Sequence, residues 1–94
     1  MKMKQKICVF GGHPAWLKAI RPLIKEATFF GDADIRNLNV IRNADQIWIQ
    51  TNAISHSLFS KIVKTVRVCK IPLFYFHFAS AKRCADQLNT VKAV

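Results

Sequence analysis

Ile7-Cys8-Val9-Phe10-Gly11-Gly12-His13-Pro14 holds a complete strand-to-helix junction. Ile7–Phe10 is a short apolar run, the pattern of a strand covered on both faces. Two glycines end it and let the backbone turn sharply. Pro14 suits the first position of a helix, where a missing N–H costs nothing. Leu17, Ile20, Leu23, Ile24 and Ala27 then recur at helical spacing, with Lys18, Arg21 and Lys25 on the other side. Pro22 falls within that pattern and predicts a kink or break.

The same alternation continues downstream. Ala27–Phe30 reads as a second strand, ended by Gly31-Asp32-Ala33-Asp34. Arg36–Ala44 is ambiguous and is read as a short helix around Leu38–Arg42. Gln46–Gln50 has Ile47, Trp48 and Ile49 contiguous, as expected of a central strand. Ile54–Lys70 carries a wide stripe of Leu58, Phe59, Ile62, Val63, Val66 and Cys69, with Lys61, Lys64 and Arg67 opposite. Ile71–Phe78 is the last strand, with Pro72 near its start, as at a sheet edge. Ser80 caps a final helix whose inner face is Ala81, Cys84, Ala85, Leu88 and Val91.

Strands alternating with helices define an α/β fold with a four-stranded parallel sheet between two helical layers. This is a small Rossmann-like or flavodoxin-like three-layer sandwich. Right-handed crossovers favour the spatial order 2-1-3-4. The switch point then lies between the first and third strands, where such sheets bind ligands. Residues 1–94 form a single domain.

Composition narrows the partners. Fifteen Lys and Arg face five acidic residues, a formal charge of +10. That density favours a polyanion, nucleic acid first, although basic surfaces also serve acidic proteins. No apolar run approaches a membrane span, so no membrane partner is expected. Met1–Lys6 reads as a basic lead-in to the first strand, not a signal peptide, and the expected location is cytoplasmic. Cys8, Cys69 and Cys84 show no metal or disulfide spacing, and Cys8 and Cys84 fall on apolar faces as small core residues.

Several of these segments together resemble one family. They are Gly11-Gly12-His13 with Trp16-Leu17, Arg42-Asn43-Ala44-Asp45, Trp48-Ile49-Gln50-Thr51-Asn52 and Ser55-His56-Ser57. Ile71-Pro72 and Phe78-Ala79-Ser80-Ala81 with Cys84-Ala85 complete the set. The chain is similar over nearly its whole length to the bacterial family catalogued as domain of unknown function 2325. The resemblance supports the α/β reading and implies that the Gly-Gly-His and Thr-Asn…Ser-His segments belong together. It brings no activity, substrate or cofactor.

The candidate site follows from the strand ends. Gly11, Gly12 and His13 form one loop that allows close backbone approach to an anion, or simply a tight turn. Thr51, Asn52, Ser55, His56 and Ser57 crowd the end of the third strand. They suit phosphate or carboxylate recognition, or capping alone, with Asn52 able to take a left-handed turn and Ser55 able to cap. Ser80 joins them from the last strand's end.

His13, His56 and His77 each follow a strand and would share one rim. His13 and His56 suit acid–base roles, and Ser55, Ser57 or Ser80 could pair with a histidine. No Gly-x-Ser-x-Gly elbow supports a hydrolase. Zinc held by the three histidines with Asp32 or Asp34 is a further alternative, without diagnostic spacing. His77 also fits a half-buried structural ring.

Trp48, Phe74, Phe76 and Phe78 are expected in the core, while Trp16 would cover the site or stack a base.

Three functions remain open. In the first, Lys18, Arg21, Lys25, Lys61, Lys64 and Arg67 bind nucleic acid while the polar rim holds a phosphate. In the second, the rim serves a sensor or enzyme for a nucleotide or phosphorylated metabolite. In the third, the chain is a homodimeric interaction module paired through Phe59 or Phe30. The helices bearing the two basic sets need not share a face, so a continuous patch does not follow.

Overall fold

The computed structural model describes residues 6–31, 39–76 and 78–92. The expectations placed on Met1–Gln5, Asp32, Asp34, Leu38 and His77 lie outside them.

β1 (Ile7–Gly11), α1 (Pro14–Ile20), β2 (Ala27–Phe30), α2 (Asn39–Arg42) and β3 (Gln46–Gln50) come first. α3 (His56–Cys69), β4 (Leu73–Tyr75) and α4 (Ala81–Lys92) follow. The four strands form one sheet in the order β2-β1-β3-β4, and every pairing is parallel. The α/β class, the all-parallel sheet and its order match the sequence reading.

Burial explains the order. β1 and β3 are buried along their whole length and occupy the centre. β2 and β4 are only partly covered and form the edges. Period-2 alternation divides the core into two layers. Ile7, Val9 and Trp48 pack with Trp16, Leu17 and Ile20 of α1 and with Cys84, Ala85 and Leu88 of α4. Cys8, Phe10, Ile47 and Ile49 pack on the other face with Ile41 of α2 and with Ile62 and Val66 of α3. The chain winds outward to β2 and then returns across β1 to β3. Crossovers of one hand therefore put α1 and α2 on opposite faces.

At the amino ends of the central strands, Asp45 Oδ2 accepts a 2.7 Å bond from the Lys6 N–H. The Asp45 N–H donates to the Lys6 carbonyl, also at 2.7 Å. These bonds clip the starts of β1 and β3 together.

Several local expectations are resolved or change. Of the two effects expected of Pro22, the break is the one found: α1 stops at Ile20, with Arg21 as its C-cap. Leu23 consequently leaves the apolar stripe and is exposed, while Ala27 opens β2. β4 spans Leu73–Tyr75, shorter than Ile71–Phe78, although Phe76 N–H still reaches the Ile49 carbonyl at 3.1 Å. Pro72 lies just before it and contributes its carbonyl to Ile47 N–H. α3 begins at His56, because Ser55 is its N-cap and Ile54 is extended.

Phe30 stacks on Phe10 at 5.1 Å and Phe59 lies 6.0 Å from the Tyr75 ring. Both are half-buried against the core, whereas Leu23, Val68 and Tyr75 are the exposed large apolar side chains among the described residues. Phe30 and Phe59, the residues expected to pair copies of the chain, are thus partly covered within the fold.

Candidate functional site

The carboxyl ends of β1 and β3 are tied directly to each other. Gly12 N–H donates to the Ala53 carbonyl at 2.8 Å. The Gly-Gly-His and Thr-Asn…Ser segments therefore do meet, as expected of a switch point. Gly11 and Gly12 have φ of +89° and +106°, backbone open to glycine and strained for other residues. A Cβ on Gly11 would come within 2.8 Å of the Gln50 carbonyl oxygen. One on Gly12 would lie 2.4 Å from Cε3 of Trp16. The double glycine thus lets β1 press on both the next strand's exit and the α1 indole.

An open cleft of about 890 Å³ lies beside this junction. His13, the N-cap of α1, stands on one wall, and Lys18 and Arg21 extend that wall along the helix. Gly31 closes it at the end of β2. Ala53, Ile54 and Ser55 form the side contributed by β3's exit. All three polar side chains from α1 and its caps are exposed to solvent. The cleft thus brings together residues of two sequence-derived sets: Gly12, His13 and Ser55 from the rim, and Lys18 and Arg21 from the basic helix.

Other candidates stand apart from it. Gly11 is buried beneath the junction. Thr51 and Asn52 belong to a single 3-10 turn, Thr51–Ala53, and both are exposed. Asn52 does not take the left-handed conformation; on this rim Gly11 and Gly12 take it instead. His56 and Ser57 open α3 with exposed side chains outside the cleft lining. Ser55 Oγ accepts the Leu58 N–H at 3.3 Å, and Ser80 Oγ accepts that of Arg83 at 3.4 Å. Both serines thus act as helix caps. Among the described residues no three His, Cys, Asp or Glu side chains cluster as a metal site, and the zinc alternative also requires residues outside them.

The basic residues divide. Lys18 and Arg21 line the cleft, and Lys25 lies further along the same side. Lys61, Lys64 and Arg67 are exposed on α3, whose buried face packs on the opposite side of the sheet from α1. The six cations do not form one patch.

Trp16 is not available for stacking a ligand. It is 8% exposed, wedged over Gly12 and set edge-on to Phe76 at 5.6 Å. Its indole N–H makes no hydrogen bond of ordinary geometry among the described residues, although it faces the Cys84 thiol and acts to lower that thiol's pKa.

Gln50 is the residue that the sequence reading passed over. It is 2% exposed, at the end of β3 directly under the rim. Its Nε2 donates to the Phe78 carbonyl at 3.2 Å and faces Cys84 Sγ at 3.7 Å, while its Oε1 accepts a long 3.5 Å bond from Asn52 N–H. Cys84 Sγ donates to the same Phe78 carbonyl at 3.0 Å. Burial raises the Cys84 thiol pKa, only partly opposed by its contacts with Trp16, Phe78 and Gln50. Cys84 therefore stays a neutral donor at neutral pH.

A polar residue closing a buried strand was the available signal, because such a group must find partners at the strand's exit. Gln50→Leu is expected to cost about 1–2 kcal/mol in urea denaturation. It should also speed hydrogen exchange at the Asn52 amide; unchanged exchange would count against Gln50 holding the turn.

No family model, curated protein or solved structure matches this chain.

Proposed function

We propose that the chain binds a phosphate-bearing partner in the cleft between β1, β2 and β3, with nucleic acid favoured over a free metabolite. The observation that carries this reading is the meeting of His13, Lys18, Arg21 and Ser55 around one recess at the sheet's switch point. Lys18 and Arg21 supply fixed positive charge, Arg21 with a fork suited to phosphate oxygens. His13 and Ser55 add hydrogen-bonding groups. The charge of +10 favours a partner with many phosphates.

Gly11, Thr51, Asn52, His56, Ser57 and Ser80 do not line this cleft, and the reading rests on the four residues that do. The likeness to domain of unknown function 2325 fits this α/β site, and membership in that family is part of the proposal. So is a cytoplasmic location. Among the described residues no helix is long and apolar enough to cross a membrane.

A small phosphorylated ligand is the second reading. The cleft volume, about 890 Å³, falls in the usual range for small-molecule sites. In that case His13 would be the proton-transfer candidate, being the titratable rim residue that lines the recess.

The test is binding of a fluorescein-labelled oligothymidylate of about 12 nucleotides, within the usual site sizes for single strands. Thymidine 5′-monophosphate serves as competitor. Lys18→Ala with Arg21→Ala should weaken oligonucleotide binding about tenfold or more, and lower the salt slope by ~1.4 for two lost phosphate contacts. Failure of the oligonucleotide to bind at low salt, with the monophosphate still bound, would select the second reading. Equal affinities in wild type and double variant would remove the cleft from either.

A further inference from the structure

We infer that the phosphate-bearing partner is a single strand of nucleic acid that leaves the cleft past Arg21 and continues along the outer strand β2, with Lys25 holding a further phosphate. This inference rests on the cleft reading and adds the partner's form and path.

A second recess, about 480 Å³, adjoins the first and is lined by Arg21, Ile24, Lys25, Ala27, Thr28 and Phe29. Arg21 lines both recesses, and the proposed path passes from one to the other at its side chain. The break at Pro22 creates this geometry. Because α1 stops at Ile20, the segment after it turns down toward β2 and carries Lys25 with it. β2 is one of the two edge strands, so the second recess lies at the sheet's margin.

Charge along the path is nearly of one sign. Between Pro14 and Gly31 the chain carries Lys18, Arg21 and Lys25 against a single acid, Glu26. A compact ligand in the first cleft would leave Lys25 unused, whereas a chain of phosphates would meet the three cations in turn. The second recess also offers the apolar wall of Phe29, half-buried in the core, and the exposed Thr28. An apolar ring wall beside cations suits unstacked bases and sugars, and these are accessible in a single strand and hidden in a duplex. The α3 cations lie on the other side of the sheet and take no part in this path.

The experiment measures fluorescence anisotropy of the same labelled oligothymidylate and of its duplex, with monophosphate competition, for the wild type and three variants. Lys25→Ala should weaken the single strand about fivefold and reduce the salt slope by ~0.7, the contribution of one phosphate contact on a single strand. It should leave the monophosphate's competition unchanged. The combined variant Lys61→Ala, Lys64→Ala and Arg67→Ala should match the wild type in both assays.

The path is overturned if Lys25→Ala binds the single strand as the wild type does, if the α3 variant loses more affinity than Lys25→Ala, or if duplex binds as tightly as single strand. In each of those cases the cleft reading survives as long as Lys18→Ala with Arg21→Ala still weakens the monophosphate. If neither probe binds, both readings fall.

Discussion

Gly12→Ala is expected to destabilise the domain by about 2–5 kcal/mol, a large share of the ~5–14 kcal/mol typical of a chain this size. Two costs add. A φ of +106° forces an L-alanine into left-handed backbone, at about 1–2 kcal/mol. The new methyl would also stand 2.4 Å from Cε3 and 2.8 Å from Cζ3 of Trp16. Overpacking of that kind costs roughly 1–3 kcal/mol. The indole has little room to yield, because it is 8% exposed and held edge-on by Phe76.

Urea denaturation followed by far-ultraviolet circular dichroism gives the value. Adding Trp16→Phe removes the benzo ring that the methyl meets, so the double variant should lose less than the sum of the singles. Strict additivity would mean that the clash is relieved some other way. Gly12→Ala should also disturb the cleft, since the Gly12 N–H to Ala53 carbonyl bond joins its two sides.

Trp48→Ala should have a comparable or larger effect, about 3–5 kcal/mol. Trp48 is fully buried in β3 and stacks on Phe74 at 4.7 Å and on Phe76 at 4.9 Å. Its indole Nε1 donates to Gln46 Oε1 at 3.0 Å. Truncation removes the largest fully buried side chain of the layer shared with α1 and α4, and with it both stacked pairs. Trp48→Phe separates the contributions: it keeps a ring between Phe74 and Phe76 but removes the N–H, at about 1–2 kcal/mol. If Trp48→Phe proved as damaging as Trp48→Ala, the hydrogen bond and the indole's shape would outweigh the buried area. If Trp48→Ala stayed within 1 kcal/mol of wild type, the core described here would be wrong, since burial of this size cannot be that cheap.

The legible parts of the site were those governed by local chemistry. Gly11-Gly12 before Pro14 can only be a sharp exit from a strand into a helix, because positive φ and a missing N–H suit few other places. Ser55 and Ser80 were readable as caps, since each precedes a helical pattern. Trp16 was misread for a reason of distance. Sequence position puts it near the rim, but its burial is decided by Phe76 and Cys84, which lie 60 and 68 residues further along the chain. The polar role of Gln50 was hidden in the same way, because its partners are the Phe78 carbonyl and the Cys84 thiol.

By itself, the sequence determined the α/β class, the parallel sheet and the order β2-β1-β3-β4. Periodicity records which faces each element must bury, and the handedness of crossovers leaves few ways to satisfy them all. Only the tertiary structure decided which cations share a site. Lys18 and Arg21 join His13 and Ser55 around one cleft, Lys25 continues along β2, and Lys61, Lys64 and Arg67 fall on the far side of the sheet. A charge on an exposed helix face is free of the packing constraints that periodicity encodes. Its neighbours follow from which layer its helix joins and where that helix stops.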